Sequence, residues 1–373
     1  MTDILFVIFV CIAIVYSAII LVFTAGWFSI KHFCKGKFTQ DLSVSVIIPF
    51  KNEETNITFI FKDLISQDYD AELTEIIFID DNSDDASLSI LSTLKLEHAE
   101  RNIIILQTEK GYYGKKNAIE KAVQKSKGKL ILTSDADCRI GTNWISSIVE
   151  NYKSQKSKMI SGPVCFSPVK GFFGMFQSIE FLSLVGSGAG SVKAGIPIMC
   201  NGANLAYERE AFEKVKGYSG NKKFESGDDI FLLQKIKNNF GKRAVQFIKD
   251  PDAIVRTAPA KNLHEFLNQR KRWVSKSGGY TDFWMILTSL AVYLFNLIIL
   301  ISFILSLFLT GWIVFALILF VIKFIVDLPI LIGISGFCKQ SGFLWFYPVF
   351  QLLYIPYVLV IGIIGHLGKY KWK

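Results

Sequence analysis

Leu130-Ile131-Leu132-Thr133-Ser134-Asp135-Ala136-Asp137 is a short apolar run that ends on two carboxylates one residue apart. Four apolar or β-branched residues bounded by polar ones read as a strand buried on both faces. The pattern recurs upstream. Val44–Pro49 is followed by Phe50-Lys51-Asn52-Glu53, Ile76–Ile79 by Asp80-Asp81-Asn82-Ser83, and Ile103–Leu106 is a further apolar run. Between these runs, Ile57–Gln67 and Lys115–Lys125 carry apolar residues at helical spacing. Strand-helix alternation builds a mostly parallel sheet through right-handed crossovers, and ligands of such sheets bind at the carboxyl ends of the strands. The predicted fold class is α/β, with carboxylates recurring at one edge of the sheet.

The rest of the chain is of a different character. Of 373 residues, 51% are hydrophobic and only 20% charged, with a mean hydropathy of +0.37. That is too apolar for an ordinary soluble protein, so part of the chain is expected to lie in lipid. The charge is concentrated in residues 31–282, which hold 36 Lys/Arg and 30 Asp/Glu. Ile4–Phe28 is uncharged and long enough to cross a hydrocarbon layer of about 30 Å. It exceeds a signal-peptide core, no basic segment precedes it, and Lys31, Lys35 and Lys37 follow it, so it reads as a retained anchor. Phe283–Leu309, Trp312–Ile334 and Phe343–Gly365 are three further runs of spanning length. The expected organisation is a transmembrane helix in 1–30, a charged domain in 31–282 and a membrane region in 283–373.

Lys31–Lys37 and the basic stretch Gln269–Lys276 place the central domain in the cytoplasm by the positive-inside rule, at a plasma or inner membrane. Four full spans put Lys369, Lys371 and Lys373 on the opposite side, against the same rule. Either the last run, which contains Pro348 and Pro356, is re-entrant or interfacial, or the rule fails here. Lys323 and Asp327 lie four residues apart in the third run and share a helix face, where they neutralise each other or serve substrate passage. The six cysteines form no CxxC pair and the four histidines show no ligand spacing, so reduced thiols and no zinc are expected. The net charge of +9 comes without a basic block or a nucleic-acid motif. Anionic lipid and a phosphorylated substrate account for it, and no nucleic-acid partner is expected.

An Asp-x-Asp directly after a buried strand offers two hard oxygens, the ligands that Mg²⁺ or Mn²⁺ prefers, and leaves coordination positions for substrate phosphates. Taken alone it is weak, since Asp-rich turns also cap helices and end strands. No Gly-x-Gly-x-x-Gly follows the first strand and no P-loop occurs, so phosphate must be met by metal and basic side chains. Ser226-Gly227-Asp228-Asp229 opens an apolar helical run, where the carboxylates suit N-capping as well as chemistry. Gln269-Arg270-Lys271-Arg272-Trp273 precedes a span, where such clusters often anchor to lipid headgroups.

The five clusters in this order resemble the family 2 glycosyltransferases, inverting enzymes of GT-A fold, over about residues 43–275. With the flanking runs, the similarity is to the membrane-embedded branch that includes cellulose, hyaluronan and poly-N-acetylglucosamine synthases and ceramide glucosyltransferases. The resemblance implies a GT-A domain with a mixed, mostly parallel sheet and transmembrane helices at both ends. It implies nucleotide-sugar contacts from Pro49, Asn52, Glu53, Asp80, Asp81, Lys115 and Asp135, with Asp81 on the base. It assigns Mg²⁺ or Mn²⁺ to Asp137 and Asp135, and the general base to Asp229, with Asp228 standing where the family commonly has Glu. Gln269 and Arg272 fall near the diphosphate in this scheme, Trp273 forms an acceptor platform, and Gly202 and Asn204 underlie the acceptor.

The implied activity is transfer of a sugar from a nucleotide-diphosphate sugar, UDP-linked, to a membrane lipid or lipid-linked saccharide in cell-envelope glycan or glycolipid synthesis. A processive synthase that exports its polymer competes with it, since Gln-x-x-Arg-Trp is frequent there, and a nucleotide-sugar-binding protein without turnover is a third reading. Phe172, Phe173, Phe176, Ile179, Leu182 and Val185 recur at helical spacing, so 170–186 is expected to be either an interfacial helix or one buried against the domain.

Overall fold

The computed structural model describes residues 2–32, 40–109, 114–220 and 227–365. Lys35, Lys37, Ser226 and the three C-terminal lysines lie outside them. In chain order the elements are α1 Thr2–Ser29, β1 Val44–Phe50, α2 Ile57–Ile65, β2 Thr74–Asp80, α3 Ser87–Glu97, β3 Ile103–Gln107, α4 Lys115–Lys125, β4 Leu130–Thr133, α5 Trp144–Gln155, β5 Met159–Ser161 and β6 Val164–Phe166. They continue with α6 Gly171–Lys193, β7 Leu205–Glu208, α7 Arg209–Lys214, α8 Asp228–Phe240, β8 Val245–Phe247, β9 Val255–Thr257, α9 Leu263–Ser275, α10 Phe283–Leu305, α11 Trp312–Phe337 and α12 Tyr347–Ile364. These form two compact units, one from Lys31–Pro168 and Met199–Pro259, the other from Met1–Ile30, Val169–Ile198 and the chain from Ala260 on.

The first unit is the α/β domain. Its seven-stranded sheet runs β3-β2-β1-β4-β7-β5-β8, and a short β6-β9 ribbon accompanies it. β1 pairs in parallel with both β2 and β4, so the strand order reverses between β1 and β4. That reversal is the topological switch point where open α/β sheets bind ligands. β1 and β4 are buried along their whole length, as their unbroken apolar runs require. β7 enters antiparallel to β4, Leu205 opposite Thr133, which brings the segment before it to the carboxyl end of β4. A mixed, mostly parallel sheet is what the sequence predicts.

The second unit is helical. α1, α10, α11 and the Ser341–Ile364 segment are four helices long and apolar enough to cross a membrane. α6 and α9 also belong here, although the sequence places residues 169–198 and 260–282 in the central domain. Their apolar faces explain the difference. Phe176 and Ile179 of α6 and Phe266 of α9 share one buried cluster with Leu331 of α11 and with Tyr347 and Phe350 of α12. α6 therefore does not offer its 170–186 face as a free interfacial surface. Phe176, Ile179 and Leu182 are buried, as are Gln177, Ser178 and Glu180. Towards its end α6 crosses α1 backbone to backbone, where a Cβ on Gly190 would sit 2.0 Å from the Phe23 carbonyl oxygen. Only glycine permits that approach.

Lys323 and Asp327 pair as expected. Lys323 Nζ lies 2.5 Å from Asp327 Oδ2 and donates to Tyr16 OH at 3.1 Å, while the Tyr16 hydroxyl donates to Asp327 Oδ1 at 2.6 Å. Gln351 Nε2 donates to Asp327 Oδ2 at 3.1 Å, and the Tyr354 ring lies 4.9 Å from the ammonium. Three helices are joined through one neutral charge pair. Removing one partner strands the other in an apolar interior, which typically costs about 3 kcal/mol, whereas removing both is far milder. Lys323→Met is accordingly expected to lower the unfolding midpoint in detergent strongly, and Lys323→Met/Asp327→Leu to recover most of the loss.

Candidate active site

The carboxyl ends of β1 and β2 are laced together before any ligand is considered. The Asp81 amide donates to the Phe50 carbonyl at 2.8 Å, and the Asn52 and Glu53 amides donate to the hydroxyls of Ser83 and Ser87. Asn52 Oδ1 accepts from the Asp84 amide at 2.8 Å, and Asn52 adopts a positive φ of 54°, which Asn tolerates. Glu53 accepts from Asn56 Nδ2, Asp80 accepts from Ser83 and Gln107, and Pro49 stands within β1 opposite Ile79. Of the nucleotide contacts implied by the resemblance, Pro49, Asn52, Glu53 and Asp80 thus shape these loops.

Asp81 is fully buried at the head of α4. Its Oδ2 accepts from the Gly114 amide at 2.8 Å and its Oδ1 from the Thr108 hydroxyl at 3.1 Å. Burial pushes its carboxyl above the ordinary range, against the opposing pull of those two donors. Gly114 has a φ of +106°, a conformation L side chains rarely adopt, so glycine suits the turn that aims its amide at Asp81. Thr108 escapes the sequence reading, because a lone Thr after a strand carries no motif.

The centre of the site is Lys115, the first residue of α4. Its ammonium lies 2.5 Å from Asp135 Oδ1 and 3.5 Å from Asp228 Oδ2. Burial alone would lower its pKa, but Asp135, Asp228 and Asp229 outweigh that and hold the lysine protonated far above its ordinary range. Asp228 and Asp229 occupy the first turn of α8 behind Gly227, where the helix dipole favours negative charge. No side-chain cap bond forms there. Asp229 Oδ1 accepts from the Ile230 amide at 2.7 Å and its Oδ2 from the Gly202 amide at a long 3.3 Å. A Cβ on Gly202 would stand 3.1 Å from Asp228 Oδ2 and 3.2 Å from Lys115 Nζ, so glycine leaves the floor of the cluster open.

The structure thus brings Asp135, Lys115, Gly202, Asp228 and Asp229 together at the switch point. Asn204, in contrast, is a buried brace. Its Nδ2 donates to the Pro163 and Ala253 carbonyls at 2.8 Å each and its Oδ1 accepts from Trp144 Nε1 at 3.0 Å, which leaves it no free group for an acceptor. Asp137 is exposed two residues beyond Asp135. Among the described residues no group of three His, Cys, Asp or Glu side chains is disposed around a metal position. Two adjacent carboxylates at an open strand end still fit Mg²⁺ or Mn²⁺, which retain water and take substrate phosphates rather than a complete protein cage.

Gln269, Arg272 and Trp273 lie on α9, in the helical unit. Arg272 Nε is buried without a hydrogen-bond partner among the described residues. Trp273 packs on Phe181, ring centroids 5.9 Å apart. Arg270, the residue between Gln269 and Lys271, is only 2% exposed, which its place in a basic run conceals.

The Glycosyl transferase family 2 model matches residues 45–216. A probable glycosyltransferase of Sulfolobus acidocaldarius is 24% identical over 249 residues, 65% of this chain and 51% of that protein. A beta-monoglucosyldiacylglycerol synthase of Nostoc sp. is 27% identical over 113 residues, 30% of this chain and 24% of that protein. The chain thus spans about half or less of the length of these relatives. Among solved structures, the mannosyltransferase of Pyrobaculum calidifontis in complex with GDP-Man and Mn²⁺ superposes with a TM-score of 0.60 at 18% identity, covering 95% of this chain and 98% of that one. Residues 45–216 thus match the family 2 glycosyltransferase model, and the fold is that of a GT-A transferase.

Two outcomes follow from the electrostatics. Lys115→Met leaves Asp135 and Asp228 without the cation between them, and is expected to cost about 1 to 3 kcal/mol of stability in chemical unfolding. For Asp81 the folded-state pKa is raised, so the folded state holds the proton more tightly than the unfolded chain. The stability contribution is present below the ordinary carboxylate pKa of about 4 and is lost as pH rises through the folded value. Asp81→Asn, whose amide oxygen and nitrogen suit Gly114 and Thr108, is expected to abolish that fall, seen as a gain over the wild type that grows with pH.

Proposed function

We propose that the protein is an inverting glycosyltransferase that moves a sugar from a nucleotide-diphosphate donor, UDP-linked, to a membrane lipid or lipid-linked saccharide at the cytoplasmic face. The observation that carries this reading is the meeting of Asp135, Lys115, Gly202 and the Asp228-Asp229 pair at the carboxyl edge of the sheet. Asp229 serves as the general base. The acceptor hydroxyl oxygen attacks the anomeric carbon, its proton passes to the Asp229 carboxylate, and the sugar-phosphate bond breaks with its electrons leaving on the diphosphate. Asp229 Oδ2 accepts a long 3.3 Å contact from the Gly202 amide. Lys115 balances the charge of the acidic pair, its ammonium 3.5 Å from Asp228 Oδ2. A single displacement inverts the anomeric centre and requires no protein nucleophile.

Asp135 and Asp137 would hold Mg²⁺ or Mn²⁺, which would supply positive charge to the departing diphosphate. Arg272 shares that task, which its unpartnered buried Nε supports, and Gln269 and Trp273 act at the diphosphate and the acceptor. Asp81 takes the base, its carboxylate already oriented by Gly114 and Thr108. The four helices of spanning length support a lipid acceptor, and the name of the Nostoc relative points the same way. A processive synthase is the second reading, favoured by Gln269-x-x-Arg272-Trp273, and product length on a gel separates the two. The three C-terminal helices of spanning length, few for a translocation channel, support single transfer.

The test is nucleotide release and sugar transfer by purified protein across UDP- and GDP-sugars, with Mg²⁺ or Mn²⁺ and membrane lipid extract as acceptor. GDP-sugars belong in the panel because the Pyrobaculum structure holds GDP-Man. Asp229→Asn and Asp137→Asn are each expected to lower transfer by about 10³-fold with unchanged thermal unfolding. Full activity in both variants removes the assignment.

A further inference from the structure

α9 carries three side chains with proposed contacts to substrate, and Arg270 touches two of them. Its Nη1 donates to Gln269 Oε1, and its guanidinium carbon lies 4.2 Å from the centroid of the Trp273 ring. The other edge of the guanidinium is fixed. Nε lies 3.1 Å from both Glu180 oxygens, and Nη2 donates to Glu180 Oε2. Glu180, on α6, is itself only 6% exposed and accepts from the Tyr357 hydroxyl of α12 at 2.9 Å. Phe266, one turn earlier on α9, packs its ring 4.6 Å from the guanidinium carbon. The helix is thus fastened by its own buried arginine to Glu180 of α6, which Tyr357 of α12 holds in turn.

A buried ion pair of this kind is weak evidence for stability, because desolvation of both charges offsets most of their attraction. What a planar, two-edged guanidinium does supply is orientation. One edge binds a carboxylate bidentately while the other edge and the faces hold further groups in fixed directions. We propose that Arg270 is a positioning residue that, locked by Glu180 and Tyr357, holds Gln269 and Trp273 in the conformation in which they meet the donor diphosphate and the acceptor. The inference rests on the reading of Gln269 and Trp273 under the proposed function. It explains why an arginine is required between them, since lysine keeps the charge but has neither the fork nor the flat face.

The experiment is a double-mutant cycle on the full-length protein in detergent. Gln269→Ala, Trp273→Ala, Arg270→Lys, Glu180→Gln and Arg270→Lys/Gln269→Ala are compared for kcat, donor and acceptor KM, and Tm. Arg270→Lys is expected to lower kcat at least tenfold with Tm within a few degrees of wild type. In the Gln269→Ala background the same change is expected to cost less than about threefold, because the group it positions is gone. Glu180→Gln, which keeps the shape but loses the charge, is expected to shift kcat in the same direction, and it decides the matter if Arg270→Lys does not fold. A purely structural arginine gives losses that follow Tm and multiply with Gln269→Ala, and that result overturns the inference while the role of Gln269 stands. Wild-type kinetics in both Gln269→Ala and Trp273→Ala remove the reading beneath it, and the inference with it.

Discussion

The acidic edge of the sheet is organised around one ammonium, that of Lys115, whose charge Asp135, Asp228 and Asp229 all hold in place. Two unit charges about 4 Å apart repel by roughly 4 kcal/mol at the effective dielectric of a protein surface. Asp135, Asp228 and Asp229 therefore cannot share the switch point unless something offsets them. Lys115 Nζ does so from 2.5 Å on one side and 3.5 Å on the other. The lysine can reach because it opens α4, whose turn Asp81 holds through Gly114. Gly202 matters for the same reason, since its missing side chain is the space in which ammonium and carboxylate approach.

Around that cluster the domain is built to hold backbone still. The loops after β1 and β2 bond each other through Asn52, Glu54, Ser83, Asp85 and Ser87. Asn204 ties the segment before β7 to Pro163, Ala253 and Trp144, so Gly202 and Ala203 arrive at the end of β4 in one conformation. Several polar residues that first suggest ligand contacts are in fact spent on this bracing. Preorganisation of this kind is what makes electrostatic stabilisation of a departing diphosphate effective, because no reorganisation is left for the moment of reaction.

The helical unit solves a separate problem, the burial of charge in an apolar interior. Two of its buried cations each meet a carboxylate and a tyrosine: Lys323 with Asp327 and Tyr16, Arg270 with Glu180, to which Tyr357 donates. Each joins helices distant in sequence. Directional pairs of this sort specify which helices meet and in what register, which apolar packing alone does poorly in a membrane environment.

The sequence by itself determined strands β1 to β4, the four apolar runs and the acidic edge of the sheet, while β5 to β9 were seen only in the structure. Those features depend on local periodicity and on which residue follows a buried run, and both are written in short stretches of chain. Asp135, Asp228, Asp229 and Lys115 were legible as a set only because separate motifs recur in a known order. The tertiary structure alone decided that α6 and α9 join the helical unit, that Asn204 is a brace and that Thr108 supports Asp81. It also decided that Arg270, not conspicuous among its basic neighbours, is the buried one. The reason is physical. Burial and hydrogen-bond partners are set by residues far along the chain, from 27 positions for Thr108 and Asp81 to 177 for Tyr357 and Glu180, and no local pattern in the chain records which distant side chain will fill a given donor or acceptor.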